Sequence, residues 1–434
     1  MEIKSNNKLD ANCGNGKKKI IAHHTKKTYA AAKHLATRCF TAVMFCNSQT
    51  PIHTKKFVSY YRNTYLYPRK HTQKIMRLKV SNFGQITEAD VEFGDLTIVV
   101  GQQASGKTLF LELLKLLYEA KGISRRYEEI FPRTTDEKIK AYFGQGMEGV
   151  LTNETRISLD GASVDKTHIW NTGSDDKDDQ IFYIPAQRAL CFDEGRLKSS
   201  TDFTESPEVI SLFLRHLTNH IYERASKAEK ESDFLKFNGF DNPVFYDAEV
   251  GLKKEPKGGS LVMRLNDSVI PYMAWSSGQR EFTPLLLALE RFKNYGKDKP
   301  IIIEEPEMGL HPKAVLEFLL KITTEFLPDR KIIISTHSSV PLEFAWAINN
   351  LPANADGYIA ELFDGILDGV SGKRILDGIS GKKIKVYAFE HNGGKTVVRD
   401  ISQLNTLSDD KTEAEWGGIT NFITRATDLM YQYE

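Results

Sequence analysis

The sequence predicts an α/β fold in which a mixed β-sheet is flanked by helices. Three short apolar runs carry this prediction, because runs of this length bounded by polar segments are typical of buried strands. The runs are Leu96–Val100, Ile301–Ile303 and Ile332–Ile334. Apolar segments with helical character, residues 109–117 and 282–292, lie between them in the chain. Strands and helices that alternate in this way favour an α/β domain.

The first strand leads directly into a candidate phosphate-binding loop. Residues 101–108 fit the pattern G-x-x-x-x-G-K-[ST] and stand between a strand and a helix, which is the context that this loop requires. The glycines let backbone N–H groups point at phosphates, and the start of the helix adds a partial positive charge. Lys107 is expected to reach the β- and γ-phosphates, and Thr108 to ligate Mg²⁺. The predicted ATP-binding residues of the loop are Gly101, Ser105, Gly106, Lys107 and Thr108.

The second strand ends in two adjacent carboxylates, Glu304 and Glu305. At the end of a strand, one acid can hold the Mg²⁺ shell while its neighbour polarises a water for in-line attack. The simpler interpretation is a solvated pair of acids. The phosphate-binding loop upstream favours the functional interpretation.

Three further segments stand in a fixed order with these two. Ile181–Arg188 is a strand that ends near Gln187, Trp275–Glu281 precedes an apolar helix, and Lys331–Ser338 is a strand that ends near His337. Each segment also has a simpler interpretation. Ser276 and Ser277 are good helix caps, and His337 alone is typical of a structural histidine. Arg188 and Arg280 are candidates for contacts to phosphate or a partner, but an exposed arginine is usually only solvated.

In this order the five segments resemble the ABC-type ATPase fold, in its non-transporter branch of RecF-like, SMC-like and OLD-like ATPases. The resemblance covers about residues 76–350. The sequences EPEMGLHP at 305–312 and IPAQR at 184–188 are similar to motifs of the compact bacterial ATPases in OLD-type and other phage-defence systems. Transporters have Ser-Gly-Gly-Gln where residues 276–279 read Ser-Ser-Gly-Gln, and Asp where this chain has Glu304. These departures point to the defence or repair branch.

The resemblance implies roles for particular residues. Glu304 resembles the Walker B metal acid and Glu305 the catalytic base. His337 resembles the switch histidine that contacts the γ-phosphate, and Gln187 the glutamine that contacts metal and water. The signature segment, which would bind the γ-phosphate of a facing subunit, is Ser276, Ser277, Gly278 and Gln279. The implied cofactors are ATP and Mg²⁺, and the implied metal ligands are Thr108, Glu304 and Gln187.

The charge of the chain is unevenly distributed. Lys and Arg number 58 and Asp and Glu 57, but residues 1–75 contain 15 Lys and Arg against only Glu2 and Asp10. The remaining body is therefore acidic, which argues against bulk binding of nucleic acid. No apolar stretch approaches the ~18 residues of a membrane helix. Four cysteines without a pairing pattern predict a reducing cytoplasm.

Residues 1–75 are predicted to be a disordered extension or a mis-assigned start. Three alternatives stay open: a basic nucleic-acid arm, a transit peptide, and a metal site formed by Cys13, His23, His24, Cys39 and Cys46. The rest of the chain is predicted as an ATPase domain over 76–350 and a C-terminal completion over 351–434.

Within these regions the pattern predicts several elements. Residues 77–100 read as two strands with a turn-rich piece between them, 121–180 as an antiparallel arm, and about 190–275 as a helical and β insert. Residues 366–374 and 375–383 form a tandem repeat, which is interpreted as a duplicated hairpin or loop. Strands at 384–389 and 396–401 and a last helix near 413–433 are predicted to end the chain.

The sequence thus predicts an ATP-hydrolysing switch that forms a homodimer or higher even oligomer on ATP and regulates a partner in anti-phage defence. OLD-type proteins carry a TOPRIM-type nuclease after the ATPase, but too little chain remains here, so a separate effector protein is expected. A RecF-like DNA-repair ATPase is one alternative, with DNA-stimulated turnover. A non-hydrolysing ATP-gated scaffold is the other, and Glu305 argues against it because a scaffold needs no base.

Overall fold

The computed structural model describes residues 75–126, 134–176, 179–203, 206–227, 234–238, 244–246, 248–255, 258–294, 296, 298–352, 355–363, 372–420, 426 and 430. The basic segment 1–75 lies, apart from Ile75, outside the described residues. Its candidate metal ligands therefore lie outside them too, as does most of the predicted last helix.

Strands and helices alternate along the described chain. The strands are β1 Met76–Phe83, β2 Ile86–Phe93, β3 Leu96–Gly101, β4 Leu151–Leu159, β5 Ala162–Val164, β6 Phe182–Ile184, β7 Phe192–Asp193, β8 Arg196–Leu197, β9 Phe234–Lys236, β10 Glu249–Glu255, β11 Gly258–Leu265, β12 Ser268–Pro271, β13 Ile301–Glu304, β14 Ile332–Thr336, β15 Ile384–Asn392 and β16 Lys395–Asp400. The helices are α1 Lys107–Arg126, α2 Thr135–Phe143, α3 Glu208–Lys227, α4 Ser277–Asn294, α5 Pro312–Glu325, α6 Val340–Asn349, α7 Ala355–Leu362, α8 Gly372–Ile379 and α9 Lys411–Ala414.

Short 3-10 turns connect several of these elements. They are Lys166–Asn171, Arg188–Cys191, Ser200–Phe203, Tyr272–Ala274 and Trp416–Gly418. No helix in the described ranges is long and apolar enough to cross a membrane.

A ten-stranded mixed sheet organises the described chain, in the order β5-β4-β1-β2-β16-β15-β3-β14-β13-β6. Five neighbouring strands, β15, β3, β14, β13 and β6, run parallel to one another. All six residues of β3 are buried, which explains its continuous apolar run. The predicted α/β fold with a mixed sheet is confirmed. Since parallel strands end at the same edge, the loops after β3, β13, β14 and β6 meet there.

A second sheet lies in the segment predicted as an insert. Its order is β7-β8-β11-β10-β9, with β12 paired to β11. Helix α3 belongs to the same segment. The predicted antiparallel arm corresponds to β4 and β5. Strand β4 pairs with β1, and β5 pairs with β4 at the edge of the main sheet.

Two sequence predictions were wrong. The piece between the first two predicted strands is itself a strand, β2, whose apolar residues alternate with acids in the period of a half-buried strand.

The described part of the tandem repeat is a helix, α8, and not a hairpin. Its Ile375 and Ile379 recur at helical spacing and are buried. A side-chain carbon on Gly378 would lie 2.6 Å from the carbonyl oxygen of Thr323, so α8 packs closely on α5.

The C-terminal region contributes to the centre of the sheet. Strand β15 pairs with β3, and β16 pairs with β2. These two strands occupy the positions predicted for the strands at 384–389 and 396–401. Of the predicted last helix, the described residues contain α9, the 3-10 turn that follows it, and two single helical residues, 426 and 430.

Candidate active site

The phosphate-binding loop connects β3 to α1 and contains two residues in the left-handed backbone region. Ala104 has φ 58° and Gly106 has φ 88°. A side chain at Gly106 would be strained at this φ and would lie 3.1 Å from the side chain of Ile86. The Gln85 amide donates a hydrogen bond of 2.6 Å to the carbonyl oxygen of Ala104. The turn between β1 and β2 therefore supports the loop, a contact that the loop pattern does not predict.

Lys107 lies over the loop that it belongs to. Its ammonium donates hydrogen bonds to the carbonyl oxygens of Gly101 at 2.8 Å and Gln102 at 2.9 Å, and to the Ser105 hydroxyl at 3.4 Å. Burial lowers the pKa of Lys107 to about 8, and the carboxylates at the end of β13 oppose this shift. A buried cation beside a phosphate-binding loop is well placed to neutralise phosphate charge.

Glu304 is the last residue of β13 and is only 2% exposed. Burial raises its pKa, and hydrogen bonds from the Thr108 side chain and the Ala186 N–H oppose the rise. The Ala186 N–H donates to Oε2 at 3.3 Å. Oε1 is buried and has no hydrogen-bond partner within the described ranges. A buried carboxylate oxygen beside a hydroxyl suits a hard cation such as Mg²⁺, which takes one or two protein oxygens together with phosphate and water.

Gln187 is less well placed as a third metal ligand. It lies three residues beyond β6, is exposed, and starts the 3-10 turn without a side-chain capping hydrogen bond. No group of three or more His, Cys, Asp and Glu side chains gathers as a metal site in the part of the chain that the structure describes. Thr108 and Glu304 are protein donors that fit Mg²⁺, and the role of Gln187 as a ligand stays a prediction.

Glu305 and His337 lie side by side at the ends of neighbouring strands. His337 Nε2 is 3.2 Å from Glu305 Oε1, and each side chain is 30% exposed. The backbone of Glu305 is in the left-handed region, with φ 42°. For a residue other than glycine this conformation costs about 1–2 kcal/mol, and such strain clusters at functional sites. Glu305 thus presents a carboxylate that is accessible to water and aligned by an imidazole.

Glu307 connects the two strand ends. Its Oε1 accepts hydrogen bonds of 2.7 Å from the Thr336 hydroxyl and from the His337 N–H. Glu307 was not among the site residues predicted from the sequence. The sequence feature that indicated it is the acid after the proline in residues 305–307, Glu-Pro-Glu.

Glu112 is a second acid that the sequence analysis missed. It lies one turn beyond Thr108 on the buried side of α1. Burial raises its pKa well above the usual range, and the charge of Glu304 adds to the rise. The buried Tyr183 ring lies beside both carboxyls. The signal was an acid four residues after Thr108 that stands between apolar residues, Leu111 and Leu113.

The signature segment caps the start of α4. The Gln279 N–H donates to the Ser276 hydroxyl at 3.2 Å, and the Ser276 N–H donates to Gln279 Oε1 at 2.9 Å. This reciprocal pair is a capping box. The Gln279 amide also donates to the carbonyl oxygen of Val244 at 2.8 Å. The capping interpretation is therefore correct for this segment.

Gly278 of the signature segment packs directly against the turn that follows β13. A side-chain carbon on Gly278 would lie 2.3 Å from the carbonyl oxygen of Gly309. Gly309 has φ 68°, a backbone conformation that favours glycine. The start of α4 and the turn after Glu305 are thus in backbone contact.

Gly278→Ala is expected to destabilise the fold, because the added methyl group meets backbone that cannot rotate away. Overpacking of this kind costs about 1–3 kcal/mol. Thermal unfolding checks the prediction, with the exposed neighbour Ser277→Ala as the control. Equal unfolding midpoints for the two variants would show that the Gly278–Gly309 contact is not tight.

Arg188 differs from the solvated arginine that the sequence predicted. Its side chain is fully buried, at 0% exposure. Among the described residues it donates only to backbone carbonyl oxygens, including those of Glu304 and Glu305. Arg188 is therefore part of the structure under the site.

The structure brings most of the predicted site together. The residues that meet at the carboxyl ends of β3, β13 and β14 are Lys107, Thr108, Glu304, Glu305 and His337. The signature segment contacts Val244 and Gly309.

Comparison with known proteins gives one family match. The family model described as "AAA domain, putative AbiEii toxin, Type IV TA system" matches residues 96–343, more than half of the chain. No curated protein matches the chain.

Solved structures with similarity to the chain include SMC heads and an ATP-binding cassette. An SMC head bound to the C-winged helix domain of ScpA is 15% identical, with TM-score 0.38, over 78% of this chain and 98% of that one. The SMC head domain from Thermotoga maritima is 12% identical, with TM-score 0.32, over 76% and 99%. An ATP-binding cassette in a dimeric post-hydrolysis state with ADP and Pi is 11% identical, with TM-score 0.27, over 60% and 88%.

Proposed function

We propose that this chain, which belongs to the family described as "AAA domain, putative AbiEii toxin, Type IV TA system", binds ATP with Mg²⁺ and hydrolyses it. The observation that carries the proposal is the pair of acids at the end of β13. Glu304 is buried beside Thr108, whereas Glu305 is accessible and lies against His337. Two neighbouring carboxyls in different surroundings suit two different roles, one toward a metal and one toward water.

Each residue has a defined task in the proposed reaction. The N–H groups of residues 101–108 and the Lys107 ammonium bind the β- and γ-phosphates. Thr108 and Glu304 would hold Mg²⁺, which neutralises charge on the phosphate oxygens. Glu305 accepts a proton from the water that attacks the γ-phosphorus, and the bond to the ADP oxygen breaks. His337 keeps the Glu305 carboxylate directed at that water.

We propose further that ATP joins two copies of the chain. Ser276 and Ser277 are exposed at the start of α4, where free N–H groups and the helix dipole attract an anion. Such a segment can bind the γ-phosphate held by a second copy, which gives a homodimer or a higher even oligomer. Hydrolysis would then release the dimer and regulate a separate effector protein. The description of the family as a toxin–antitoxin component supports a role in anti-phage defence.

Lys107→Ala is expected to reduce phosphate release from Mg²⁺–ATP to background, because the phosphates lose the cation that neutralises them. The measurement is multiple-turnover phosphate release by the full chain, with and without a chelator. Lys121→Ala is the matched control, since Lys121 lies on the same helix and pairs with Asp175 at the surface. Wild-type protein that releases no more phosphate than Lys107→Ala would refute the proposed ATPase.

A further inference from the structure

We infer that Arg188 is a positioning residue that holds the backbone of Glu305 in its working conformation and joins it to the start of α4. The inference rests on the proposed ATPase function, in which Glu305 is the base. Arg188 takes no part in the chemical step itself. It acts through the segments that its guanidinium group connects.

The contacts of Arg188 span three separate segments of the chain. Nη1 donates to the carbonyl oxygen of Glu304 at 2.8 Å, and Nη2 donates to that of Glu305 at 3.0 Å. Nε donates to the carbonyl oxygen of Glu281 in α4 at 3.0 Å. Nη1 also lies 3.4 Å from the carbonyl oxygen of Pro185, in the loop before Gln187. The planar guanidinium group carries N–H donors on three nitrogens and can reach these acceptors together. A lysine ammonium has all its donors on one nitrogen and cannot.

The burial of this cation argues against a role in stability alone. Burial lowers the pKa of Arg188, and the carboxylates around it, Glu281 first, oppose that shift. Buried charges are expensive, and replacing them with apolar residues of similar volume is often neutral or stabilising. We infer that the benefit of this buried arginine is the fixed backbone geometry of the active-site residues to which it donates.

That geometry concerns the strained residue of the site. Glu305 has φ 42°, and the carbonyl groups on both sides of its Cα, those of Glu304 and Glu305, accept from Arg188. The Glu305 N–H donates to the carbonyl oxygen of Ser335 at 2.9 Å. With both flanking peptide groups held, the Glu305 side chain is directed to His337.

The same side chain connects Glu305 to the signature segment. Glu281 lies near the start of α4, four residues after Ser277. The Gly278–Gly309 backbone contact connects the same two regions a second time. The start of α4 and the turn that carries Glu305 therefore form one unit. A ligand that binds the signature segment therefore affects the position of Glu305 in the same chain.

Arg188→Met removes the guanidinium group and keeps an apolar side chain of similar length. We expect its single-turnover rate of ATP hydrolysis to fall about 100-fold, the usual effect of misplacing a catalytic group by about 1 Å. The dissociation constant for ATP, measured by direct binding, should change less than about threefold. Arg188→Lys keeps the charge but cannot span the three segments, so it should lose most of the rate as well.

Arg330→Met is the matched control. Arg330 is also buried, at 6% exposure, and donates to a backbone carbonyl oxygen, that of Phe292, at 2.6 Å. It precedes β14 and so lies at the opposite edge of the sheet from the site. We expect this variant to leave the rate of hydrolysis unchanged. Equal losses of rate in the Arg188 and Arg330 variants would overturn the inference.

Two further measurements separate this inference from the proposed ATPase. In a Glu305→Gln background, Arg188→Met should cause no further loss of rate, because its effect passes through Glu305; additive losses would overturn the inference. Without nucleotide, hydrogen exchange of the amides in 277–281 and 304–309 should accelerate together in Arg188→Met and not in Arg330→Met. Unchanged exchange in both segments would overturn the inference whether or not the chain hydrolyses ATP.

Discussion

Glu305→Gln is expected to lower the rate of ATP hydrolysis by about 10²–10⁴-fold, the usual contribution of a general base. The amide has the size of the carboxylate but cannot accept the proton of the attacking water. Lys107, Thr108 and Glu304 are unchanged, so ATP should stay bound. Phosphate release and the nucleotide retained after gel filtration measure the two effects. Glu361→Gln, an exposed acid of α7, is the control and should match wild type.

The same variant tests the proposed dimer. With hydrolysis blocked, the solution mass by light scattering should increase to a dimer or a larger even assembly only when Mg²⁺–ATP is present. A mass that ignores ATP, with ATP binding confirmed separately, would contradict the composite site. The signature segment would then be only the capping box of α4.

Glu304→Gln is expected to abolish Mg²⁺-dependent hydrolysis without destabilising the fold. The variant replaces a buried carboxyl, whose Oε1 has no hydrogen-bond partner among the described residues, with a neutral amide of the same shape. A neutral amide costs less to bury than a carboxylate. Loss of one group that stabilises a transition state electrostatically costs about 10²–10³-fold in rate. Thermal unfolding and turnover as a function of Mg²⁺ concentration measure the two effects.

Stability and activity should therefore change in different directions. The unfolding midpoint of Glu304→Gln without nucleotide should be equal to or higher than that of wild type, and its ATP affinity should no longer depend on Mg²⁺. Full turnover at ordinary Mg²⁺ would contradict the metal role of Glu304. A large drop in midpoint together with lost turnover would indicate that the acid serves the fold.

The sequence predicted features that a short stretch of chain determines by itself. Residues 101–108 carry their own glycines, lysine and hydroxyl between a strand and a helix, so the octapeptide alone predicts the loop. Buried parallel strands read as apolar runs, and the polar residues that end them, Glu304, Glu305 and His337, follow from those runs. The strand β2 was missed because three acids stand between its apolar residues, so the alternation of buried and exposed positions was not recognised.

The tertiary structure alone decided what surrounds each of these groups. The strand next to β3 comes from the far C-terminal region, and the Ala104 carbonyl is held by Gln85 from the preceding hairpin. Arg188 reads as a surface residue in the sequence, because most arginines are solvated. Its burial depends on α4 and β13, which lie about a hundred residues away. Residue type specifies which chemistry is available, whereas burial, strain and alignment arise only when distant segments pack together.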